Sequence, residues 1–260
     1  MKITIIGSGN VATVLGRKMK EAGNKILQVH SRNKATGMAL AQQLEAAYVV
    51  QKKEIDATAD LYVLAVHDDA LPEVVRGLHF PQKIIVHTAA AVSLHVLQPV
   101  SSHYGVLYPL QSLLKEMKII PEIPLFIDGN DEKTKKELLA LAKSLACGKV
   151  SEANDAQRMQ LHVAAVVVNN FIHHLLTLTA DYCTKENIDF RLLQPLLEET
   201  VQRIHAGHVQ GFQTGPAIRH DETSIRHHLA VLKNYPQLRN LYVLLTESIQ
   251  QFDDLKKKAE

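Results

Sequence analysis

The first twelve residues restrict this chain more than any other stretch. Lys2-Ile3-Thr4-Ile5-Ile6 is a short apolar, β-branched run ending at a glycine, the pattern of a buried parallel strand. Gly7-Ser8-Gly9-Asn10-Val11-Ala12 comes next, and from Asn10 the periodicity turns helical through Leu15, Met19 and Ala22. Each position of this G-x-G-x-x-A has a mechanical reason. Gly7 permits the sharp turn out of the strand, and Gly9 has no side chain to hold a pyrophosphate off the backbone. Ala12 lets the helix approach the sheet, and the helix N-terminus presents unpaired N–H groups to an anion. A tight turn without a ligand would use the same glycines. The placement between a strand and a helix is what a dinucleotide site requires, so Gly7, Ser8, Gly9, Asn10, Val11 and Ala12 are cofactor-binding candidates.

The next strand, Lys25 to His30, ends in His30-Ser31-Arg32-Asn33. An acidic residue here would bind the ribose 2′-hydroxyl of NAD, and there is none. Ser31 and Arg32 suit a 2′-phosphate instead, because guanidinium matches phosphate in a bidentate, charge-assisted way. NADP is therefore the expected cofactor. A solvated arginine in a βα turn is the plainer account of Arg32.

Strand and helix keep alternating through the first half: a helix over Lys34–Ala46, short elements near Tyr48–Val50 and Glu54–Ile55, a strand over Asp60–Val66, a helix over Leu71–Leu78, and a strand over Lys83–His87. Open α/β sheets bind ligands beyond the carboxyl ends of their strands, which makes Val66, His67, Asp68 and Thr88 further cofactor-facing candidates. Strand-like pieces at Tyr104–Gln111 and Ile123–Ile127, a helix over Asp131–Leu145 and the segment Gly148–Ser151 complete this half. Beyond Glu152 everything reads as helix. The pattern is α/β: a doubly wound parallel Rossmann sheet over residues 1–151, followed by an all-α part over 152–260.

Ala153 to Cys183 lacks proline and glycine and reads as one long helix whose middle, Leu161–Val168, is apolar nearly all round and should be buried. Arg158, His162, Asn169 and His173 fall within a narrow arc of it at 3.6 residues per turn. A buried polar stripe is costly unless its members are satisfied or used, so the stripe reads as an active-site wall. A hydrogen-bonded core histidine is the alternative for His162 alone. Helices are expected over Arg191–Ala206, Glu222–Lys233 and from Pro236 to the lysine-rich tail. In the loop Thr214–Asp221, Asp221 reads as an N-cap, leaving Arg219 as the residue of interest.

Composition sets limits. A chain of 260 residues with a formal charge of +2 gives no reason to expect nucleic acid or an anionic membrane as partner. No apolar run reads as a membrane span and the first strand begins at once, without a signal peptide. Cys147 and Cys183 lie far apart, which suits a reduced, cytoplasmic setting. Fourteen histidines invite a metal reading. The pairs His205/His208 and His227/His228 have no second cluster and no HExxH-type pattern beside them, so no metal is expected.

GSGNVA, HSRN, HTAAAVS, YGVLYPLQSL, RMQLHVAAVVVNN and GPAIRHD, in this order, resemble one bacterial family across essentially the whole chain. It is the Rossmann-like family named for NADP oxidoreductase activity by inference, whose helical C-terminal half is a domain of unknown function. Its more distant relatives are deazaflavin-dependent NADP oxidoreductases, pyrroline-carboxylate reductases and 3-hydroxyacid dehydrogenases. The resemblance implies NADP binding, a cleft between the domains and a homodimer through the helical half. The hydroxyacid dehydrogenases place a catalytic lysine on the corresponding long helix; this chain has Arg158 and His162 there and no lysine.

These readings lead to an NADP-dependent oxidoreductase passing hydride to a small carbonyl or imine substrate. His162 is the candidate proton donor, since an unperturbed histidine titrates near neutrality. Asn169 is expected to orient the substrate or the imidazole, and Arg219 to bind a substrate carboxylate. The rival from another class is a non-catalytic NADP-binding sensor or scaffold. An S-adenosylmethionine methyltransferase is a third reading, weakened by the missing acidic residue at the second strand's end.

Overall fold

The computed structural model describes residues 1–145, 147–207 and 211–259. Two compact units succeed each other, Met1–Asn169 and Asn170–Glu260. The expected change of rhythm at 151/152 falls at the last strand, whereas the break between compact units comes later, at 169/170.

In the first unit, eight strands form one sheet in the order β3-β2-β1-β4-β5-β6-β7-β8. They are β1 (Lys2–Ile6), β2 (Lys25–His30), β3 (Ala47–Val49), β4 (Leu61–Leu64), β5 (Ile84–His87), β6 (His103–Pro109), β7 (Leu125–Gly129) and β8 (Val150–Glu152). β1 to β6 run parallel; β7 is antiparallel to β6, and β8 runs parallel to β7. The order reverses between β1 and β4, which is where a doubly wound sheet opens its crevice. The helices are α1 (Asn10–Glu21), α2 (Lys34–Leu44), the short α3 (Leu71–Val75), α4 (Glu132–Ser144) and α5 (Asp155–Ala165).

Alternation within the strands creates two apolar layers. Ile3 and Ile5 of β1 with Leu61 and Val63 of β4 face one side, where Val14, Leu15 and Met19 of α1 and Leu40 and Leu44 of α2 cover them. Ile6, Tyr62 and Leu64 face the other, with Leu71, Ile85, Leu97 and Val106. Tyr62 and Phe80 stack there, with ring centroids 3.9 Å apart. Because the central strands are buried on both faces, they read as continuous apolar runs rather than alternating ones. Truncating a side chain such as Ile5, 1 % exposed, to alanine costs about 2–5 kcal/mol.

The long helical run differs from expectation in three ways. It is not a single regular helix: α5 passes into a π-turn at Val166–Phe171 before α6 (Ile172–Lys185) resumes. A π-turn takes an extra residue per turn and shifts the phase of the helix beyond it. Arg158 is buried and His162 half-buried, but Asn169 and His173 are exposed. Second, Leu161–Val168 is not buried within this chain, for Val163 is 56 % and Val168 65 % exposed. Third, the run Asp155–Lys185 is long and apolar enough by length and composition to cross a membrane, an 18-residue window within it having a mean hydropathy of 1.5, where the sequence pattern predicts no such run.

The second unit contains α6 beyond Asn170, α7 (Gln194–His205), α8 (Glu222–Val231) and α9 (Pro236–Ala259) among the described residues. α6 packs on the start of α9, where Tyr182 meets Tyr235 edge-on at 4.9 Å and Tyr235 donates to Glu186. Asp221 caps α8 as expected, accepting from Ser224 N at 3.0 Å. Apolar burial is sparse here: Cys183, Ala217, Ile225 and Leu232 are the buried apolar residues among those described. On α9, Leu244, Leu245, Phe252 and Leu255 are all exposed and share one face at helical spacing.

Candidate functional site

The parallel strands β1 to β6 end along one edge of the sheet, and the residues after each line a single cavity of about 1320 Å³. Gly7 to Val11 come after β1, Ser31 to Asn33 after β2, Val50 and Lys52 after β3, and Val66 to Ala70 after β4. Thr88 to Ala90 come after β5, and Tyr108, Gln111, Leu113 and Lys115 belong to the end of β6 and the segment beyond it. His162 of α5 completes the lining. Of the twelve sequence-derived cofactor candidates, eleven line this cavity; Ala12 is instead 1 % exposed in the core, as its close-packing role demands.

The two glycines of the turn differ in kind. Gly7 has φ +123°, and a Cβ placed there would lie 2.1 Å from the Ala65 carbonyl oxygen. The fold itself requires that glycine. At Gly9 a Cβ would meet nothing within 4 Å, so the protein leaves that space open. Gly9 also caps α1 without any side-chain hydrogen bond, and no acidic residue occupies the first turn. Open space beside uncapped helical N–H groups fits the pyrophosphate of a dinucleotide.

At the end of β2, hydroxyls cluster. Ser8 Oγ lies 2.7 Å from both Ser31 Oγ and Thr36 Oγ1, and Asn33 caps α2 by accepting from Thr36 N. Arg32 stands at the rim, 74 % exposed, with Nη1 3.6 Å from a Glu73 carboxylate that is itself 71 % exposed. Such a solvated pair is worth only about 0–1 kcal/mol, so it does little to hold the guanidinium in place. Burial pushes the His30 imidazole below its ordinary value, which keeps a second cation from forming beside Arg32.

The far end of the cavity is built around Arg158, 1 % exposed. Its Nε donates to the Ala89 carbonyl at 3.2 Å, and its Nη2 donates to the Val92 carbonyl and to Asp155 Oδ1 at 2.6 and 2.7 Å. α5 begins in a reciprocal cap between Asn154 and Gln157, so the guanidinium pins the segment after β5 to a rigid helix start. Burial works against ionising Asp155, yet hydrogen bonds from Ser93 and Arg158 hold its carboxyl below the ordinary range. His87 beneath is fully buried; burial, then the Arg158 charge, pushes its imidazole down to about 4. Its Nδ1 accepts from Ala89 N at 3.2 Å, which places the proton of the neutral ring on Nε2.

Tyr108 and His162 meet on the cavity wall, Oη to Nδ1 at 3.2 Å. Tyr108 belongs to a recognisable strand, but no spacing in the sequence marks it as functional. Tyr108 and Gln111 do lie in the YGVLYPLQSL segment that carries the family resemblance; Thr36, Lys52 and Lys115 are unmarked. Lys115 is brought in by its backbone N–H, which donates to Asn10 Oδ1 at 3.2 Å. Asn169 and Arg219 are not among the lining residues; both are exposed, Arg219 in a turn of the second unit. His227 and His228 on α8 join no metal-ligand group among the described residues, and His208 lies outside them.

Strand order, glycine geometry and cavity together define a Rossmann-type chain. A Rossmann-like domain model matches residues 1–111, and the model of a domain of unknown function, DUF2520, matches residues 123–249. Among solved structures, BF3122 from Bacteroides fragilis, which carries the provisional name NADP oxidoreductase, is 36 % identical. That match covers 96 % of this chain and 98 % of that one, with a TM-score of 0.87. The chain belongs to the family that joins a Rossmann-like domain to a DUF2520 domain. The fold is shared more widely. A 1-pyrroline-5-carboxylate reductase from Streptococcus pyogenes is 17 % identical, covering 96 % of this chain and 98 % of its own, at TM-score 0.64. A reductive aminase from Aspergillus terreus, in complex with NADPH and ethyl-5-oxohexanoate, is 15 % identical, covering 96 % and 94 %, at TM-score 0.69. No curated protein matches.

The contrast between the two glycines is testable. Gly7→Ala should lower the melting temperature sharply, since both its φ and the Ala65 carbonyl oppose a side chain. Gly9→Val should melt within a few degrees of the parent protein and lose dinucleotide binding. Calorimetric titration of Gly9→Val with NADP checks this; parental affinity in that variant would make the turn purely structural.

Proposed function

We propose that the protein is an NADP-dependent oxidoreductase that passes hydride between NADPH and a small carbonyl or imine compound. The observation that carries this reading is the open space at Gly9, beside an uncapped helix start and continuous with Ser31 and Arg32 along one cavity. Gly7 to Val11 would hold the pyrophosphate, and Ser31, Arg32 and Thr36 the 2′-phosphate. The relatives named for NADP oxidoreductase, reductive aminase and pyrroline-carboxylate reductase activity support the same class.

The bound dinucleotide supplies the hydride. The protein's own part is to hold the acceptor, exclude water and provide a proton to the oxygen or nitrogen that gains charge. His162, half-buried on the cavity wall, is the proton source in this reading. No role is assigned to Asn169 or Arg219. Thr88, Ala89 and Ala90 keep the cavity floor small-sided, and the Arg158 clamp fixes that floor in place.

The functional partner proposed for the helical half is a second copy of this chain. Val163, Val167, Val168, Phe171 and Ile172 are exposed along the long helical run, as are Leu244, Leu245, Phe252 and Leu255 on α9. Exposed apolar surface on this scale marks an interaction site, and the family resemblance implies a homodimer through this half. The proposed setting is cytoplasmic, in keeping with two buried free thiols, Cys147 and Cys183. Light scattering at micromolar concentration should return twice the chain mass. A monomer that partitions onto lipid vesicles would contradict the dimer and assign the apolar run to a membrane.

NADP should bind more tightly than NAD, and NADPH should be consumed with at least one member of a panel of keto acids and cyclic imines. Arg32→Ala should weaken NADP by about 1.5–3 kcal/mol, the worth of a charge-assisted hydrogen bond, and leave NAD unchanged. Equal affinity for NAD and NADP in the parent protein would overturn the assignment of Ser31 and Arg32. NADPH binding without turnover on any acceptor would favour a sensor.

A further inference from the structure

We propose that Tyr108 is the catalytic residue that hands the proton to the reacting substrate atom, with His162 behind it restoring that proton. The inference rests on the oxidoreductase reading above and refines it at one site.

Position argues first. Tyr108 lies near the end of β6, where its backbone pairs with Phe126 of β7, and its side chain is 7 % exposed while still lining the cavity. It is thus held by the sheet, with Oη at the wall. His162 lies farther toward solvent on α5, half-buried, and presents Nδ1 to the phenol at 3.2 Å, ring edge to ring face with centroids 6.4 Å apart. A buried acid on a strand, in contact with a more open histidine, is a proton path with one end in the cavity and one toward water.

Electrostatics agree. The charged and titratable groups that face Tyr108 are Arg158 and His162 from α5 and Asp68 from the segment after β4. Burial pushes the phenol up, Arg158 works against that rise, and Asp68 adds to it. Tyr108 therefore keeps its proton at neutral pH, as a donor must. Once the proton has left, the phenolate faces the Arg158 cation, whose Nη1 has no protein partner.

The step balances. The carbonyl or imine carbon accepts hydride from a reduced nicotinamide dinucleotide, and the π pair moves onto oxygen or nitrogen. That atom takes the proton of Tyr108 Oη. His162 gives its Nδ1 proton to the phenolate while its other ring nitrogen takes one from solvent.

The test uses the full-length protein with Tyr108→Phe, His162→Gln and the double variant. NADPH affinity, single-turnover hydride transfer with the keto acid and imine panel, and ¹⁵N spectra of the imidazole are read on each. Tyr108→Phe should keep NADPH affinity within about twofold and slow turnover by roughly 10²–10⁴-fold, the usual worth of general acid catalysis. The double variant should be no slower than the slower single one, because both act on one proton path. The His162 Nδ1 resonance should move in Tyr108→Phe. Replacing Tyr108 with a fluorinated tyrosine, which retains the ring and lowers the phenol pKa, should shift the alkaline limb of the rate profile downward. That variant also decides the matter if Tyr108→Phe does not fold. Parental turnover in Tyr108→Phe, or an alkaline limb unmoved by fluorination, would overturn the relay and leave the oxidoreductase reading standing. A parent protein inert toward every acceptor would overturn both.

Discussion

The close approach of Gly7 to the Ala65 carbonyl is the constraint on which the rest of this molecule depends. The chain leaves β1 at φ +123°, where a Cβ would stand 2.1 Å from that oxygen, and only a glycine passes. That passage starts α1 at Asn10 directly after the turn and lets Gly7 N donate to the His30 carbonyl of β2 at 2.9 Å. The helix start is thereby set at the point where the strand order reverses. The cavity along the ends of six strands begins at this turn, with Gly7 to Val11 in its lining. Gly9, two residues on, is free of any such demand: a Cβ there would meet nothing within 4 Å, and the residue lines the cavity.

A second fixed point lies at the other end of the cavity. Burying Arg158 costs several kcal/mol unless its hydrogen bonds are met; two backbone carbonyls and Asp155 meet those of Nε and Nη2, while Nη1 has no protein partner. The guanidinium is thus structural first: it ties the start of α5 to the segment after β5. Its charge has a further effect, pressing His87 toward the neutral form and opposing the rise of the Tyr108 phenol. One buried cation therefore shapes both the floor of the cavity and the protonation of its wall.

The features legible in the sequence are local. The β1–α1 turn, the Ser31-Arg32 pair and the succession of strands each arise from neighbours along the chain, and each lies where its pattern places it. The family resemblance extends this to the helical half. Tyr108 is hidden because its significance comes from His162, fifty-four positions away, and nothing in the period of a strand marks which residue faces a distant helix. Arg158 belongs to a polar stripe by helical spacing, but the π-turn at Val166–Phe171 breaks that stripe and leaves Asn169 outside. The apolar stretch Leu161–Val168 reads as buried and is not, because the apolar period of a helix does not say which of its faces the chain itself packs.

The first turn of α1 is proposed to receive the phosphates of a dinucleotide. Hydrogen exchange, monitored amide by amide with and without NADP, measures this directly. The N–H groups of Asn10, Val11 and Ala12, together with those around Ser31, should become protected on binding, while β1 itself stays unchanged. Tight binding that leaves those first-turn amides exchanging at their free rate would contradict it.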